Sequence, residues 1–252
     1  MKCILLAAGY ATRLYPLTEN MPKALLKLGD KTILDMVIEK IDEVGEVDDI
    51  YIVTNAKFYE NFAGWAESYT GPKKVKVLND NTTSNDNRLG AIGDLKFVID
   101  KENIDDEILV MASDNIFGFP LTDFTNAYAE KKSDMICAHK IENKAELHTM
   151  GVVELDSSNK VISFEEKPES PRSDLGVPPF YLYKRETLAL IDKYLAEGNN
   201  PDAPGHFVPW LITQTDVYAY VFDATRIDIG TVESYHEACE LQKQGRLFKK
   251  RI

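Results

Sequence analysis

The chain has 252 residues, of which 44% are hydrophobic and 10% aromatic. This composition provides material for a sizeable core and excludes a disordered chain. With 29 basic against 41 acidic residues, the formal net charge is −12, which repels the phosphate backbone of nucleic acids and argues against them as partners. A small phosphorylated ligand is compatible with this charge, because a pocket can be locally basic.

The first half of the chain alternates between apolar runs and amphipathic segments. The apolar runs are typical of strands buried on both faces, and they cover residues 3–8, 49–54, 75–78 and 107–112. The segments between them predict helices over residues 32–44, 57–69 and 89–99, the first with Thr32 and Asp35 in capping positions. This order predicts an α/β fold with a mostly parallel central sheet and helices on both faces.

The second half of the chain has a different pattern. Two alternating runs flank Ser-Ser-Asn and predict an antiparallel hairpin of residues 152–156 and 160–164. Further along, a strand leading into a helix is expected over 181–195, a strand over 217–222 and a helix over 231–245. The tail carries the cations Lys243, Arg246, Lys249, Lys250 and Arg251, which suit a solvated helix end.

The cysteines and the hydropathy pattern indicate the cellular compartment of the protein. Cys3, Cys137 and Cys239 are far apart, odd in number and form no CxxC pair, so we expect buried free thiols in a reducing compartment. The apolar run at residues 3–8 is too short for a membrane helix or a signal peptide. We therefore expect a soluble, cytoplasmic protein with no membrane partner, and a homo-oligomer stays open.

The strongest local signal follows the first predicted strand, where residues 5–18 read LLAAGYATRLYPLT and residues 21–25 read MPKAL. Ala8, Gly9 and Ala11 are small, so backbone N–H groups there can come close to an anion. Arg13 and Lys23 add cations that suit polyphosphate oxygens. The segment is neither a Walker A loop nor GxGxxG. It predicts a phosphate-binding loop, the alternative being a tight turn with a surface arginine and lysine.

Two carboxylates stand at positions that suit a cation. Asp114 follows the fourth predicted strand, at the sheet edge where open parallel sheets bind ligands, and Asp228 precedes the last predicted helix. Carboxylates from distant parts of a chain can share one hard cation such as Mg²⁺. Taken alone, Asp114 is equally well a turn residue and Asp228 a helix-start carboxylate.

The N-terminal segment resembles the signature of the sugar-1-phosphate nucleotidylyltransferases, roughly L-A-A-G-x-G-T-R-L-x-P-L-T followed by P-K-x-L. Ala11 stands where that family usually has its second glycine. The resemblance covers most of the chain. It implies the three-layer, Rossmann-like nucleotide-diphospho-sugar transferase fold with an inserted antiparallel hairpin. It also implies one domain over 1–252, with a nucleotide-binding half at 1–115 and an acceptor-binding half at 116–252.

The same resemblance assigns roles to further residues. Asp114 and Asp228 match the family's metal-binding aspartates in its G-D-N-like and D-x-G-T segments, which implies Mg²⁺ as cofactor. The FEEKP sequence at 164–168 is similar to the family's F-x-E-K-P element. This similarity implies that Glu166 contacts sugar hydroxyls and that Lys167 contacts the sugar phosphate. Gly151 matches the strand whose backbone meets the acceptor sugar.

The segment that reads the base departs from the family pattern. The family has Q-x-x-P-x-G-(T/L)-A after the third strand, whereas residues 79–93 here read NDNTTSNDNRLGAIG, without glutamine or proline. Asn85 and Gly90 are the candidate substitutes, alongside Asn79 and Ser84. Residues 177–181 differ as well, because they read VPPFY where the family often has N-(T/A)-G-(I/L)-Y.

The resemblance implies nucleotidyl transfer from an NTP, expected to carry a pyrimidine, to a sugar-1-phosphate, with release of pyrophosphate. Arg13 would hold the outer phosphates, Lys23 the α-phosphate and the attacking phosphate, and Asp114 the metal. The altered segments at 79–93 and 176–181 leave open a CTP-dependent transfer to a phospho-alcohol or phosphonate such as phosphocholine. Ala11 also leaves open a non-catalytic subunit that binds a nucleotide-sugar.

Overall fold

The computed structural model describes residues 1–248, so Lys249, Lys250 and Arg251 of the basic tail lie outside the described residues. Strands in this range are β1 (Lys2–Leu6), β2 (Lys27–Leu28), β3 (Lys31–Thr32), β4 (Asp49–Thr54), β5 (Lys74–Asn79), β6 (Ile108–Ala112), β7 (Asn115–Phe117), β8 (Asp134–Lys140), β9 (Gly151–Leu155), β10 (Val161–Glu166), β11 (Leu175–Val177), β12 (Phe180–Tyr183), β13 (Val217–Phe222) and β14 (Arg226–Asp228). The helices are α1 (Ile33–Asp42), α2 (Tyr59–Ser68), α3 (Ala91–Glu102), α4 (Leu121–Lys131), α5 (Leu188–Ala196), α6 (Phe207–Leu211) and α7 (Val232–Lys243). None of these helices is both long and apolar enough to cross a membrane.

By their internal contacts, the described residues fall into two compact units, each assembled from separate stretches of the chain. The first unit comprises Met1–Lys2, Leu89–Met111 and Asp123–Asp223. The second comprises Cys3–Arg88, Ala112–Thr122 and the residues from Ala224 onward. The single domain divided at residue 115 stays a prediction.

The second unit contains three of the four strands expected from the apolar runs of the first half, namely β1, β4 and β5, whereas nearly all of β6 belongs to the first unit. β4 pairs with β5 in parallel register from Asp49 opposite Lys74 to Thr54 opposite Asn79, and β1 lies beside β4. The short strands β7 and β14 pair antiparallel, with Asp228 opposite Asn115. This pair was not predicted, because three residues are too few to show a period of two.

The start of α1 confirms the predicted capping positions. The Thr32 hydroxyl accepts a hydrogen bond from the Asp35 backbone N–H (3.0 Å), and the Asp35 carboxylate accepts one from the Thr32 N–H (2.7 Å). The second Asp35 oxygen accepts from the Trp65 indole N–H at 2.8 Å, which ties α1 to α2. One side chain thus both begins a helix and joins it to its neighbour.

The first unit contains the predicted hairpin, formed by β9 and β10 in antiparallel register, with Phe164 opposite Val153 and Glu166 opposite Gly151. β8 pairs antiparallel with β11 and β12 and parallel with β13, and β12 also pairs antiparallel with β6. The apolar run of β8 and the helix α4 were not predicted. Cys3 and Cys137 are buried as expected, whereas the prediction of burial is wrong for Cys239, which is partly exposed.

An apolar cluster in the second unit supports the segments that carry the polar residues Arg13, Asp114 and Asp228. It includes Leu14, Ile116 in β7 and Ile229 after β14, all buried. Leu14 follows the loop around Gly9, which we call the glycine loop. Because these positions adjoin Arg13, Asp114 and Asp228 in the sequence, burial of the apolar neighbours holds the polar side chains on segments that share one core.

Candidate active site

The backbone that leads into the glycine loop is held by the end of β4. The Thr54 hydroxyl donates to the Ala7 carbonyl at 3.1 Å, and the Asn55 amide donates to the Ala8 carbonyl at 2.8 Å. Both of these polar side chains are completely buried. The chain is therefore fixed by hydrogen bonds at the residues immediately before Gly9.

Gly9 has no structural requirement to be glycine. A methyl group there would meet no atom within 4 Å, and its φ is not positive. The space beside Gly9 therefore fits the close approach of a ligand to the backbone, which was the expectation for this loop.

Ala11 keeps the conformation for which glycine is usually needed. Its φ of +47° and ψ of +41° are left-handed, a conformation that costs an L-residue about 1–2 kcal/mol. Its carbonyl accepts hydrogen bonds from the Thr18 hydroxyl (2.8 Å) and the Leu14 N–H (3.0 Å), and its methyl group packs on the apolar cluster of Leu14 and Ile229. These contacts offset the backbone strain and hold Ala11 in the left-handed conformation.

A pocket of about 240 Å³ lies within the second unit, beside the loop. Its lining includes Gly9, Ala11, Arg13, Lys23 and Asp114. The structure therefore brings together five of the residues singled out from the sequence. Among the described residues, Ala8 and Asn85 are not part of this lining.

Lys23 lies between the two predicted metal carboxylates. Its ammonium Nζ is 2.9 Å from Oδ2 of Asp114 and 3.4 Å from Oδ1 of Asp228, and only 11% of its side chain is exposed. The side chain of Asp228 is 53% exposed. The two carboxylates, which are far apart in the sequence, thus share the Lys23 ammonium in the folded chain. Their sharing of a metal ion stays a prediction.

The charges around Asp228 favour its ionised form. Partial burial opposes ionisation, yet the cations of Arg226, Lys23 and Arg13 outweigh that effect and hold the pKa of Asp228 below its usual value. Arg13 itself is exposed and lines the pocket. The site therefore has a local excess of cations around Asp228, in a chain whose net charge is strongly negative.

Two residues of this site were not identified from the sequence. Arg226 donates from Nε to Oδ1 of Asn115 at 2.9 Å, and the Asn115 amide donates to Oδ1 of Asp114 at 3.1 Å. The available signal was their spacing: Arg226 is two residues before Asp228 in a strand, so both side chains lie on one face. Asn115 directly follows Asp114.

The residues expected at the acceptor lie in the first unit and meet one another there. The Glu166 side chain is 12% exposed and reaches Gly205, where a methyl group would overlap its carboxylate. A methyl group at Gly151 would overlap the Phe164 ring. Burial raises the pKa of Glu166, and the cations of Lys167 and His206 offset this only in part.

The two candidates for reading the base have different surroundings. Asn85 is exposed in a short turn that Ser84 caps by accepting from the Asp86 N–H at 3.3 Å. Gly90 begins α3 with a φ of +79°, and a methyl group there would lie 2.6 Å from the Pro201 carbonyl oxygen. Gly90 thus has its own packing reason to be glycine, and a role of either residue toward a base stays a prediction.

The fold is mixed α/β, and the loop with Arg13 and Lys23 beside it has the features of a phosphate-binding site. Residues 2–245 match the family model described as nucleotidyl transferase, and the chain belongs to that family. This membership confirms the resemblance found in the N-terminal signature.

Individual relatives agree with this assignment. The bifunctional protein GlmU of Methanocaldococcus jannaschii is 32% identical over 77% of this chain and 42% of its own length. Glucose-1-phosphate adenylyltransferase 1 of Vibrio parahaemolyticus is 25% identical over 93% of this chain and 64% of its own length. The chain therefore spans less than two thirds of either relative.

A solved structure confirms the fold. A UDP-glucose pyrophosphorylase in complex with UDP-glucose is similar with a TM-score of 0.79 and 20% identity, over 97% of this chain and 99% of that one. The expected mixed α/β fold with a large, mostly parallel central sheet is thereby confirmed.

Replacing Asp228 with asparagine tests the electrostatics of the site. Because the folded pKa of Asp228 is lowered, its anion stabilises the fold above the unfolded pKa of about 3.9, and this contribution is lost as the pH falls through the folded value. We expect Asp228→Asn to lower the Tm at neutral pH, measured in a chelator, and the difference from the wild type to shrink below about pH 4. Asp30→Asn, at an exposed position in the same unit, is the control. A Tm difference that is constant with pH would contradict the assignment.

Proposed function

We propose that the chain transfers a nucleotidyl group from an NTP to a sugar-1-phosphate, forming a nucleotide-sugar and releasing pyrophosphate. The observation that carries this proposal is the pocket beside Gly9, which Arg13, Lys23 and Asp114 line. Asp228 joins this group through its ion pair with Lys23. Membership of the nucleotidyl transferase family and a relative named for glucose-1-phosphate support it.

The proposed reaction needs charge neutralisation more than proton transfer. The phosphate of the acceptor is already an anion near neutral pH, so its oxygen attacks the α-phosphorus without a general base, and pyrophosphate leaves. Catalysis then consists of aligning two anions and stabilising the charge that develops. Arg13 would bind the outer phosphates, and Lys23 would bind the α-phosphate together with the attacking phosphate.

The carboxylates suit Mg²⁺ as the proposed cofactor. Asp114 and Asp228 offer hard oxygen donors that already converge on the Lys23 ammonium. Within residues 1–248 no group of three or more histidine, cysteine or acidic side chains gathers as a metal cage. Two carboxylates fit Mg²⁺, which usually keeps several waters and binds substrate phosphates. When bound, Mg²⁺ would neutralise phosphate charge.

The acceptor is proposed to meet the first unit, at Gly151, Glu166 and Lys167. Glu166 can accept hydrogen bonds from sugar hydroxyls, and Lys167 offers an ammonium group 3.9 Å from Glu166 Oε1 for the sugar phosphate. A pyrimidine base, a cytoplasmic location and a homo-oligomer stay predictions alongside this assignment.

Pyrophosphate release tests the proposal directly. Purified protein is incubated with Mg²⁺, each of the four NTPs or dTTP, and a panel of sugar-1-phosphates and phospho-alcohols, phosphocholine among them. We expect release with a sugar-1-phosphate and a pyrimidine NTP. Release only with phosphocholine and CTP would establish the phospho-alcohol alternative, and NTP binding without any release would favour the non-catalytic subunit.

Gly9→Ala tests whether the open space in the loop admits phosphate. Because a methyl group there meets no protein atom within 4 Å, we expect the Tm to change by less than the equivalent of about 0.5 kcal/mol. The methyl group would instead obstruct an anion on the backbone, so the Kd of the NTP should rise by about tenfold or more. Gly45→Ala, where a methyl group also has open space, is the matched control. Unchanged NTP affinity in Gly9→Ala would exclude close approach at this residue.

Glu166→Gln separates the two acceptor classes. The amide keeps the size of the carboxylate but is a weaker acceptor for hydroxyl groups, so the KM for a sugar-1-phosphate should rise by about tenfold with little change in the KM of the NTP. Glu165→Gln, at the neighbouring position on the opposite face of β10, is the control. An unchanged acceptor KM in Glu166→Gln would argue that the acceptor has no hydroxyl at this position.

A further inference from the structure

Arg226 occupies a protected position beside the two carboxylates. Its side chain is 8% exposed, and its Nη2 is 3.7 Å from Oδ2 of Asp228. From Nε it donates to Oδ1 of Asn115 at 2.9 Å. One guanidinium thus contacts Asp228 directly and reaches Asp114 through the Asn115 amide, which donates to Oδ1 of Asp114 at 3.1 Å.

We call the hydrogen bonds from Arg226 through Asn115 to Asp114 the relay, and the chemistry of these three groups determines its direction. A guanidinium only donates hydrogen bonds and a carboxylate only accepts them, so the asparagine between them must turn its oxygen to Arg226 and its amide nitrogen to Asp114. A lysine at position 226 would present a single ammonium group in place of the rigid fork. The relay therefore depends on the geometry of arginine as well as on its charge.

In each aspartate, one carboxylate oxygen faces Arg226 or Asn115 and the other faces Lys23. Asp114 uses Oδ1 for Asn115 and Oδ2 for Lys23, while Asp228 uses Oδ2 for Arg226 and Oδ1 for Lys23. Each carboxylate is thus held by one oxygen on the arginine side, and its other oxygen is directed at the Lys23 ammonium. The two directed oxygens converge on the place where a shared cation would bind.

We propose that Arg226 is a positioning residue that directs the Asp114 and Asp228 carboxylates at a common divalent cation, acting on Asp114 through Asn115. The inference rests on the proposed function in that it takes this cation to be the one used with the NTP. Partners that orient metal-binding carboxylates typically change metal affinity 10–100-fold when they are removed.

Mn²⁺ alone is the probe, and its binding to the whole chain is followed by the electron paramagnetic resonance signal of the free ion. The measurements use a Lys23→Met background, because the Lys23 ammonium competes for the same oxygens. Arg226→Lys keeps the charge, and Asn115→Ala removes the relay without changing any charge. Arg246→Met, at an exposed arginine of the same unit, is the control.

We expect Arg226→Lys and Asn115→Ala each to raise the Kd of Mn²⁺ by about tenfold or more. The double variant should bind Mn²⁺ no more weakly than the single variant with the higher Kd. Unfolding curves identify any variant that has lost its fold, and Arg226→Lys supplies the result if Asn115→Ala does not fold. Additive losses, or unchanged affinity in Arg226→Lys, would overturn the inference.

The same measurements distinguish this inference from the proposed function. If the Lys23→Met protein binds Mn²⁺ and Asp114→Asn abolishes that binding, the cation site stands and only the role of Arg226 is in question. If Lys23→Met binds no Mn²⁺, or binds it regardless of Asp114, the proposed cation site fails, and with it the basis for a positioning role.

Discussion

The ion pairs of Lys23 with Asp114 and Asp228 bring three distant parts of the chain together at one point of the second unit. Two carboxylates cannot both ionise at short range without a cation between them. The Lys23 ammonium supplies it, joining a residue before the first helix to one that lies 205 positions later. Because Ala24 and Leu25 beside Lys23 are buried, the lysine is held by the core as well as by its charge.

The same unit also tolerates a residue that departs from its family. Ala11 has a left-handed backbone, and the strain falls on a residue whose carbonyl and methyl group are both engaged by the protein. Gly9, two positions earlier, shows the opposite combination of an ordinary backbone and open space. The loop thus contains a glycine with open space beside it and, two positions later, an alanine whose left-handed backbone is held by its own contacts.

Local patterns in the sequence were sufficient for features that depend on nearby residues. The strands at 49–54 and 217–222 and the Thr32–Asp35 capping box match the structure, since period and capping act within a few positions. The contact between Arg226 and Asn115 was missed because the two residues are 111 positions apart, although each stands within two positions of a predicted aspartate. The close approach of Glu166 to Gly205 was missed for the same reason, since nothing at either position alone indicates a partner.

The two cations that contact the carboxylates, Arg226 and Lys23, are held in different ways. Arg226 is held by a hydrogen bond from Nε to Asn115 and by an ion pair of Nη2 with Asp228, and a guanidinium keeps its charge in proteins. Lys23 holds the other carboxylate oxygens through one flexible side chain, which can turn toward phosphate once another cation neutralises the aspartates. The proposed function, in which the Lys23 ammonium gives way to a metal and turns to the NTP, requires this asymmetry. If both cations were mobile, nothing would orient the carboxylates. If both were fixed, the proposed metal could not enter.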